Sequence, residues 1–417
     1  MRLLIISQYF WPENFRINDL AAELVKRGHK VTVLTGIPNY PDGIFFGGFL
    51  DNPFQYANYH GVDIVRVPIL PRGKNLVSLG LNYISFAISA STLGLWKLRS
   101  LSFDAIFTCQ LSPATVGIPA VVLRSVKKIP MIFWILDLWP ESLSAVGVIY
   151  SKLIIRIVGR LISWIYQRTD LILVQSKEFI PAIAKYNTKR TRVKYFPSWS
   201  DLNFSVMSTD YASEVSVDSS YFTIVFTGNI GEAQDFPAIL DAAEILKNFG
   251  RIRWLIIGDG RMSDWLAREI KARNLQHCFL QLGGFPIERM PSFIKHADAL
   301  LVALKSEYIF SLTIPGKIQA YLAAGKPIIA MINGEGARVV KESGAGIVTP
   351  AGDGKSLAES VKKLLLMTDE ERGKMGVNGS LYSLQEFDRA KLMIKLEETI
   401  EELIKAAALN KTLHVRC

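Results

Sequence analysis

Cysteine is scarce in this chain. There are three in 417 residues, Cys109, Cys278 and Cys417, far apart and without metal-ligand spacing. They read as reduced thiols of a cytosolic protein, which excludes a disulfide scaffold and a cysteine metal site. No Asp-x-Asp motif occurs, so no metal is expected at a nucleotide site. Acidic residues are also short, 38 against 48 Lys and Arg, leaving a formal net charge of +10. That balance suits an anionic substrate, an anionic membrane surface or merely a mildly basic exterior. Lysine/arginine runs and interleaved aromatic stripes are missing, so nucleic acid is not expected as a partner. Residues 2–7 are apolar too briefly for a signal peptide and read as a first buried strand.

One uncharged run could matter for a membrane. Residues 76–96 carry no charge. As a helix they would be roughly 32 Å long, enough to span a bilayer. Ser78, Gly80, Asn82, Ser85, Ser89, Ser91, Thr92 and Gly94 dilute the run. A crossing would also put the flanking strands on opposite sides of the membrane. A buried or interfacial helix is expected.

What the chain has in quantity is alternation. Short apolar runs at 3–6, 31–34, 64–67, 105–108, 131–135 and 171–174 are separated by helical patterns. Between the first two, Ile17, Leu20, Ala21, Leu24 and Val25 follow i, i+3, i+4, i+7, i+8 spacing, and Gly28 ends the helix. Residues 200–221 are rich in Ser, Asp and Thr and read as a linker. The alternation then restarts at 223–226, 254–257, 279–281, 299–303, 328–330 and 347–348. Residues 391–409 close the chain as a helix. This is an α/β protein with two doubly wound parallel sheets. The expected domains are 1–200, joined by the C-terminal helix 388–417, and 221–387.

Residues 315–330 say most about chemistry. They read as a helix opening at Pro315, a glycine stop at Gly325 and a buried strand from Pro327. Lys317 in the first turn adds an ammonium to free backbone N–H groups and the helix dipole, which makes an anion site. Three glycine-rich turns follow the first three strands of the second half, at 227–231, 258–261 and 283–286. Each alone could be a plain strand-to-helix turn. Together they lie at the carboxyl ends of the strands, where open α/β sheets bind ligands. Gly228, Asn229, Gly258, Gly260 and Phe285 are the candidates there, with Arg261 and Lys317 as the two cations for a diphosphate.

These segments resemble the GT-B glycosyltransferases, in particular the family 4 retaining enzymes of bacterial surface-polysaccharide synthesis. The likeness covers nearly the whole chain. It is carried by residues 24–35 with Gly28-His29-Lys30-Val31, by Gly258-Asp259-Gly260, by Gly283 through Asp298, and by the Pro-x-Lys helix with Gly325-Lys326-Pro327. Trp11-Pro12-Glu13-Asn14, Leu136 through Ser142, and Asn333-Gly334-Glu335-Gly336-Ala337 resemble a subgroup that includes O-antigen N-acetyl-L-fucosamine transferases. The resemblance implies two Rossmann-like lobes facing a cleft and a UDP-sugar donor on the second lobe, at the residues above with Pro315, Glu335, Gly336 and Ala337. It implies an acceptor sugar on a polyprenyl diphosphate, bound by the first lobe at the cytoplasmic membrane face. Trp11, Glu13, Asn14 and Arg16 are the acceptor-binding candidates. No cofactor is implied beyond the donor substrate.

The chain departs from the family in three places. A glycine-rich donor loop near the N-terminus is replaced by bulky residues 10–16, Phe-Trp-Pro-Glu-Asn-Phe-Arg, which suggests a shaped acceptor pocket. A pair of glutamates eight residues apart is replaced by Leu312 and Ala320, and Glu335 is the candidate to take over part of their role. The Arg and Lys of the loop after the first strand of the second lobe are replaced by Asn229 and Gln234.

Asp137 and Glu141 follow the 131–135 strand, so they are expected in the cleft as catalytic carboxylates. A carboxylate there could polarise the acceptor hydroxyl or hold the sugar. It could equally cap a helix starting near Pro140, and both can hold at once. No donor-side nucleophile declares itself. A front-side displacement is expected, in which the departing diphosphate takes the acceptor proton.

Lys152, Arg156, Arg160 and Arg168, with Trp164, share one side of a helix beside a broad apolar face. That suits an anionic bilayer; a charged solvent face over a core helix is the plainer account. Rival functions are a nucleotide-sugar 2-epimerase of the same fold and a non-catalytic membrane scaffold.

Overall fold

The computed structural model describes residues 1–73, 75–145, 151–200 and 210–414. It divides into two compact units, 1–196 together with the chain from 390 onward, and 197–389.

The first lobe is built on β1 (Arg2–Ile6), β2 (Lys30–Gly36), β3 (Asn58–Tyr59), β4 (Val62–Val67), β5 (Ala105–Gln110), β6 (Met131–Ile135), β7 (Leu171–Val174) and β8 (Arg192–Tyr195). Their order is β3-β4-β2-β1-β5-β6-β7-β8, parallel except for the β3–β4 pair. The chain winds outward through β2 and β4, then restarts on the other side of β1 at β5. This reversal makes a switch point between β1 and β5. Strands buried on both faces must be apolar throughout, which is why β5 and β6 have no exposed residue. The sequence reading omits β3 and β8. β3 is only two residues, and β8 is an edge strand of Arg, Val, Lys and Tyr with no fully buried position.

The helices Leu76–Ser89, Gly117–Lys127 and Lys152–Tyr166 lie side by side, the middle one touching both neighbours. The uncharged run forms the first of them, continues through a π turn at Ala90–Gly94 and ends at Lys97. Tyr83, Phe86, Ala87 and Ala90 face the core, while Val77, Leu81, Ile84, Ile88 and Trp96 are exposed. It is long and apolar enough to cross a membrane, and one third of its most apolar stretch is buried. A lone helix of this kind is weak evidence for a span. The C-terminal helix Arg389–His414 docks on the first lobe through buried Leu392, Met393, Leu396 and Ile400. Glu397 accepts from Arg27 at 2.7 Å and meets the His29 ring at 2.7 Å.

The second lobe contains β9 (Phe222–Thr227), β10 (Ile252–Ile257), β11 (Phe279–Gly283), β12 (Ala299–Ala303), β13 (Ile328–Met331) and β14 (Gly346–Thr349). Their order is β11-β10-β9-β12-β13-β14, all parallel, with the switch point between β9 and β12. Apolar layers cover both faces. The expected linker is more than a linker. Residues 201–209 lie outside the described residues, but Ala212 and Val215 are buried in the second lobe's core. The Ala212 carbonyl meets the His296 ring at 3.1 Å, and its N–H donates to Ser292.

Candidate functional site

In the second lobe the three neighbouring strands β9, β10 and β11 each end on a positive-φ glycine, Gly228 (118°), Gly258 (150°) and Gly283 (83°). Gly228 N–H donates to Ile257 and Gly258 N–H to Gly283, at 2.7 and 2.8 Å. The turns touch one another. A Cβ on Gly258 would stand 1.8 Å from the Gly228 carbonyl oxygen, and one on Gly260 would stand 2.4 Å from that of Ile230. Glycine is therefore required by the contact of turn with turn, independently of any ligand.

The helix Gly316–Ala324 opens after Pro315 and stops at Gly325, with φ 66°. Its Tyr321 hydroxyl accepts from the Thr227 N–H at 2.9 Å, which locks the helix to the end of β9. Lys317 leaves the first turn and crosses to Gly228, where a Cβ would lie 2.8 Å from Lys317 Cε. Part of the residue reaches solvent, but the ammonium is enclosed, 3.5 Å from the centroid of the Phe226 ring. Lys317 forms no ion pair among the described residues. Burial pushes its pKa down to about 7. A desolvated ammonium beside helix-end N–H groups is stabilised by an incoming anion.

The other donor-side candidates divide. Asn229 is exposed and donates to Gln234 at 3.3 Å, so the two residues in place of the family's cations hold each other. Arg261 is exposed on its turn, unlike Lys317. Phe285 is half-buried and packs on Phe293 with centroids 4.6 Å apart. Glu335 is buried, and Arg338 donates to both its oxygens at 2.7 and 2.8 Å. Gly336 is packed so that a Cβ would meet Ile332, Ile318 and Pro315 at 2.8–3.0 Å. With buried Ala337, it lets the helix Gly334–Ser343 lie against the opening of the Lys317 helix. A ligand there would meet backbone N–H groups rather than these side chains. Leu312 is buried and Ala320 packs against the core, so neither position offers a polar group.

Lys305 was not singled out by the sequence. It lies two residues past β12, and its N–H donates to Ala233 at 2.9 Å. Burial raises the Asp235 carboxyl above its usual range, and Lys305 opposes that rise. A lysine just past a strand's carboxyl end was the available signal.

In the first lobe, β6 delivers Asp137, whose half-buried carboxylate accepts from the Trp139 indole at 2.9 Å. Burial raises its pKa above the usual carboxylate range, against that hydrogen bond. Glu141, not Asp137, opens the helix Glu141–Ala145. One Glu141 oxygen takes Lys185 at 2.6 Å and the Tyr186 hydroxyl at 3.3 Å, while the other is buried without a partner among the described residues. The two carboxylates thus have different surroundings, and Glu141 is engaged by its neighbours.

The loop after β1 carries the acceptor-binding candidates. Glu13 is buried. It accepts from the Asn39 and Tyr40 N–H groups at 2.7 Å each and from Phe10 N–H at 3.3 Å. Its carboxylate braces two loops, with both short bonds on one oxygen. Trp11 stacks between Tyr56 and Tyr59, at 5.0 and 5.3 Å. Asn14 is exposed and Arg16 half-buried. Tyr9, Phe15 and Tyr40 form a cluster, with centroids 5.0–5.4 Å apart, that sequence spacing does not reveal.

His, Cys, Asp and Glu form no metal-holding cluster among the described residues. Residues 14–199 match the glycosyl transferase 4-like domain, and residues 221–367 match glycosyl transferases group 1. The chain is a glycosyltransferase. It is 27% identical over 263 residues to the probable glycosyltransferase WbjE of Pseudomonas aeruginosa, 61% of this chain and 64% of that protein. The match therefore spans just under two thirds of that relative's length. It is 23% identical over 343 residues to the putative colanic acid biosynthesis glycosyl transferase WcaI of Escherichia coli, 78% of this chain and 82% of that one. The structure of Anabaena HepE in complex with UDP and glucose superposes with a TM-score of 0.66 at 16% identity, over 96% and 99% of the two chains. The glycosyltransferase has the GT-B fold.

Proposed function

We propose that this glycosyltransferase moves a sugar from a UDP-sugar to a sugar carried on a polyprenyl diphosphate, with retention, in surface-polysaccharide synthesis. The observation that carries the reading is Lys317, a desolvated ammonium at a helix N-terminus, without a carboxylate partner among the described residues, against the glycine turn of Gly228. It supports a diphosphate on the second lobe, with Arg261 as a further cation drawn from solvent. UDP as the nucleotide is supported by the ligands of HepE, and the polysaccharide context by the name of WcaI. N-acetyl-L-fucosamine is the proposed sugar.

In the proposed reaction the bond from the sugar's anomeric carbon to the UDP β-phosphate oxygen breaks, and a bond to the acceptor oxygen forms on the same face. The acceptor proton passes to the departing phosphate oxygen. Lys317 and helix-end N–H groups stabilise the charge that develops there. Asp137 orients the acceptor hydroxyl, and Glu141, held by Lys185 and Tyr186, is the second catalytic carboxylate proposed. The UDP-sugar is a substrate, and no cofactor or metal is proposed.

We also propose that the enzyme works at the cytoplasmic face of the membrane. Between residues 64 and 169 there are twelve Lys and Arg against three Asp and Glu, which accounts for nearly all of the chain's +10. Leu153, Ile154 and Ile157 are exposed beside Lys152, Arg156 and Arg160, and Arg168 lies over Trp164 at 4.8 Å. Such a face suits anionic lipid.

The test is a donor screen by mass spectrometry with N-acetylglucosaminyl diphospho-undecaprenol as acceptor, alongside UDP calorimetry. Saturable UDP binding and a mass gain on the lipid are expected. A new UDP-sugar formed without acceptor would replace the reading with an epimerase.

A further inference from the structure

We propose that Arg72 and the aromatic wall around it form an anion site in the first lobe that takes the diphosphate of the lipid-linked acceptor. The inference rests on the acceptor class proposed above.

Arg72 lies in the loop between β4 and the helix Leu76–Ser89. Its backbone N–H donates to Asn39 Oδ1 at 2.7 Å, and its carbonyl packs against Gly43, where a Cβ would stand only 1.7 Å away. Nη1 donates to the Tyr9 hydroxyl at 3.0 Å and reaches that of Tyr83 at 3.5 Å. The guanidinium lies 5.3 Å from the centroid of the Tyr40 ring. Beneath it, fully buried Asn82 meets Tyr9 at 3.4 Å, accepts from Gln8 at 2.7 Å and donates to the Leu70 carbonyl. The cation is therefore held from several sides before any ligand arrives.

Its hydrogen-bond partners are all neutral. Some arginines of this lobe sit on carboxylates, as Arg124 does on Asp170 and Arg27 on Glu397, while Arg66 donates to backbone carbonyls. Arg72 has no ion pair among the described residues. Both phenol contacts fall on Nη1, so the Nε–Nη2 edge, which can fork onto a phosphate, has no protein partner there. A half-buried guanidinium held by neutral groups is short of one negative charge.

The surroundings say which anion. Leu70, Leu76 and Val77, within five residues of Arg72, are 49%, 53% and 73% exposed. They lead onto the apolar outer face of the 76–97 helix. A small soluble phosphate would make no use of this ledge. A diphosphate carrying a hydrocarbon chain would set its charge on Arg72 and its first isoprene units on Leu76 and Val77.

Calorimetry with farnesyl diphosphate tests the site, in saturating UDP so that the second lobe's diphosphate site is filled. Wild type should bind farnesyl diphosphate saturably, inorganic diphosphate more weakly and farnesol weakly. Arg72→Gln should weaken farnesyl diphosphate by about tenfold or more. UDP affinity should stay unchanged. Arg72→Lys, which keeps the charge but not the fork, should fall between. No farnesyl diphosphate binding by wild type, or equal binding by Arg72→Gln, overturns the proposal. If Arg72→Gln loses UDP affinity as well, Arg72→Lys decides, and wild-type binding by that variant removes the fork from the site. Transfer assays separate this site from the acceptor class. An unchanged KM for the lipid-linked sugar in Arg72→Gln rejects the site and keeps the class. Farnesyl diphosphate binding through Arg72, with transfer only to soluble sugars, keeps the site and rejects the class.

Discussion

Lys317 shows how much one side chain's environment can decide. The same lysine on an exposed helix would be an ordinary cation. Enclosed against Phe226 and Gly228, it titrates near neutrality. In the ligand-free protein the unfolded chain keeps this proton up to about pH 10.5, whereas the folded chain releases it near 7. The unfolded state therefore binds more protons between those values, and stability should rise with pH across that window. Urea titrations at pH 7 and 9 should show the rise, and Lys317→Met should flatten it. A bound diphosphate favours the charged form, so UDP binding near neutral pH should take up a proton. Calorimetry in buffers of differing ionisation enthalpy measures that uptake, and Lys317→Met should remove it while weakening UDP about tenfold or more. Asp137 makes a contrasting case. Asp137→Asn should lower kcat by about a hundredfold or more while leaving UDP affinity intact; collapse of donor binding would make Asp137 structural.

At the scale of elements, the turns matter more than the strands they end. Gly258 holds φ 150° with no room for a Cβ. Gly258→Ala should cost about 2 kcal/mol or more and abolish UDP binding together with it, measurable by thermal melting and calorimetry. The Lys152–Tyr166 helix belongs to the proposed membrane face. Arg156→Gln with Arg160→Gln should reduce sedimentation with anionic vesicles by roughly tenfold or more and leave zwitterionic vesicles unaffected. Strands and helices were legible because buried parallel strands must be apolar and amphipathic helices must repeat every 3.6 residues. The edge strands β3 and β8 were not, since β3 is two residues long and β8 can carry Arg and Lys where solvent covers one side. The surroundings of Glu13 were hidden for a related reason. The Asn39 and Tyr40 N–H groups that meet one of its oxygens lie 26 and 27 residues away.

As a whole, the molecule is two units, and the chain's last helix returns to the first of them. Calorimetric unfolding should show a transition that UDP raises and one that it does not, because a ligand stabilises the unit that binds it. Truncation after residue 388 removes Leu392, Met393, Leu396 and Ile400 from their buried places, and the Glu397 link with them. It should lower the UDP-insensitive transition.

The sequence by itself determined the two α/β sheets, the glycine turns at strand ends and the lysine at a helix opening. Each of these is a local pattern imposed by backbone geometry and burial. Only the tertiary structure decided that Lys317 is enclosed while Arg261 is exposed, that Glu335 belongs to Arg338, and that Arg72 stands among phenols. Those facts depend on which distant segments come together, and the charge state and availability of a side chain follow from its neighbours in space rather than in sequence.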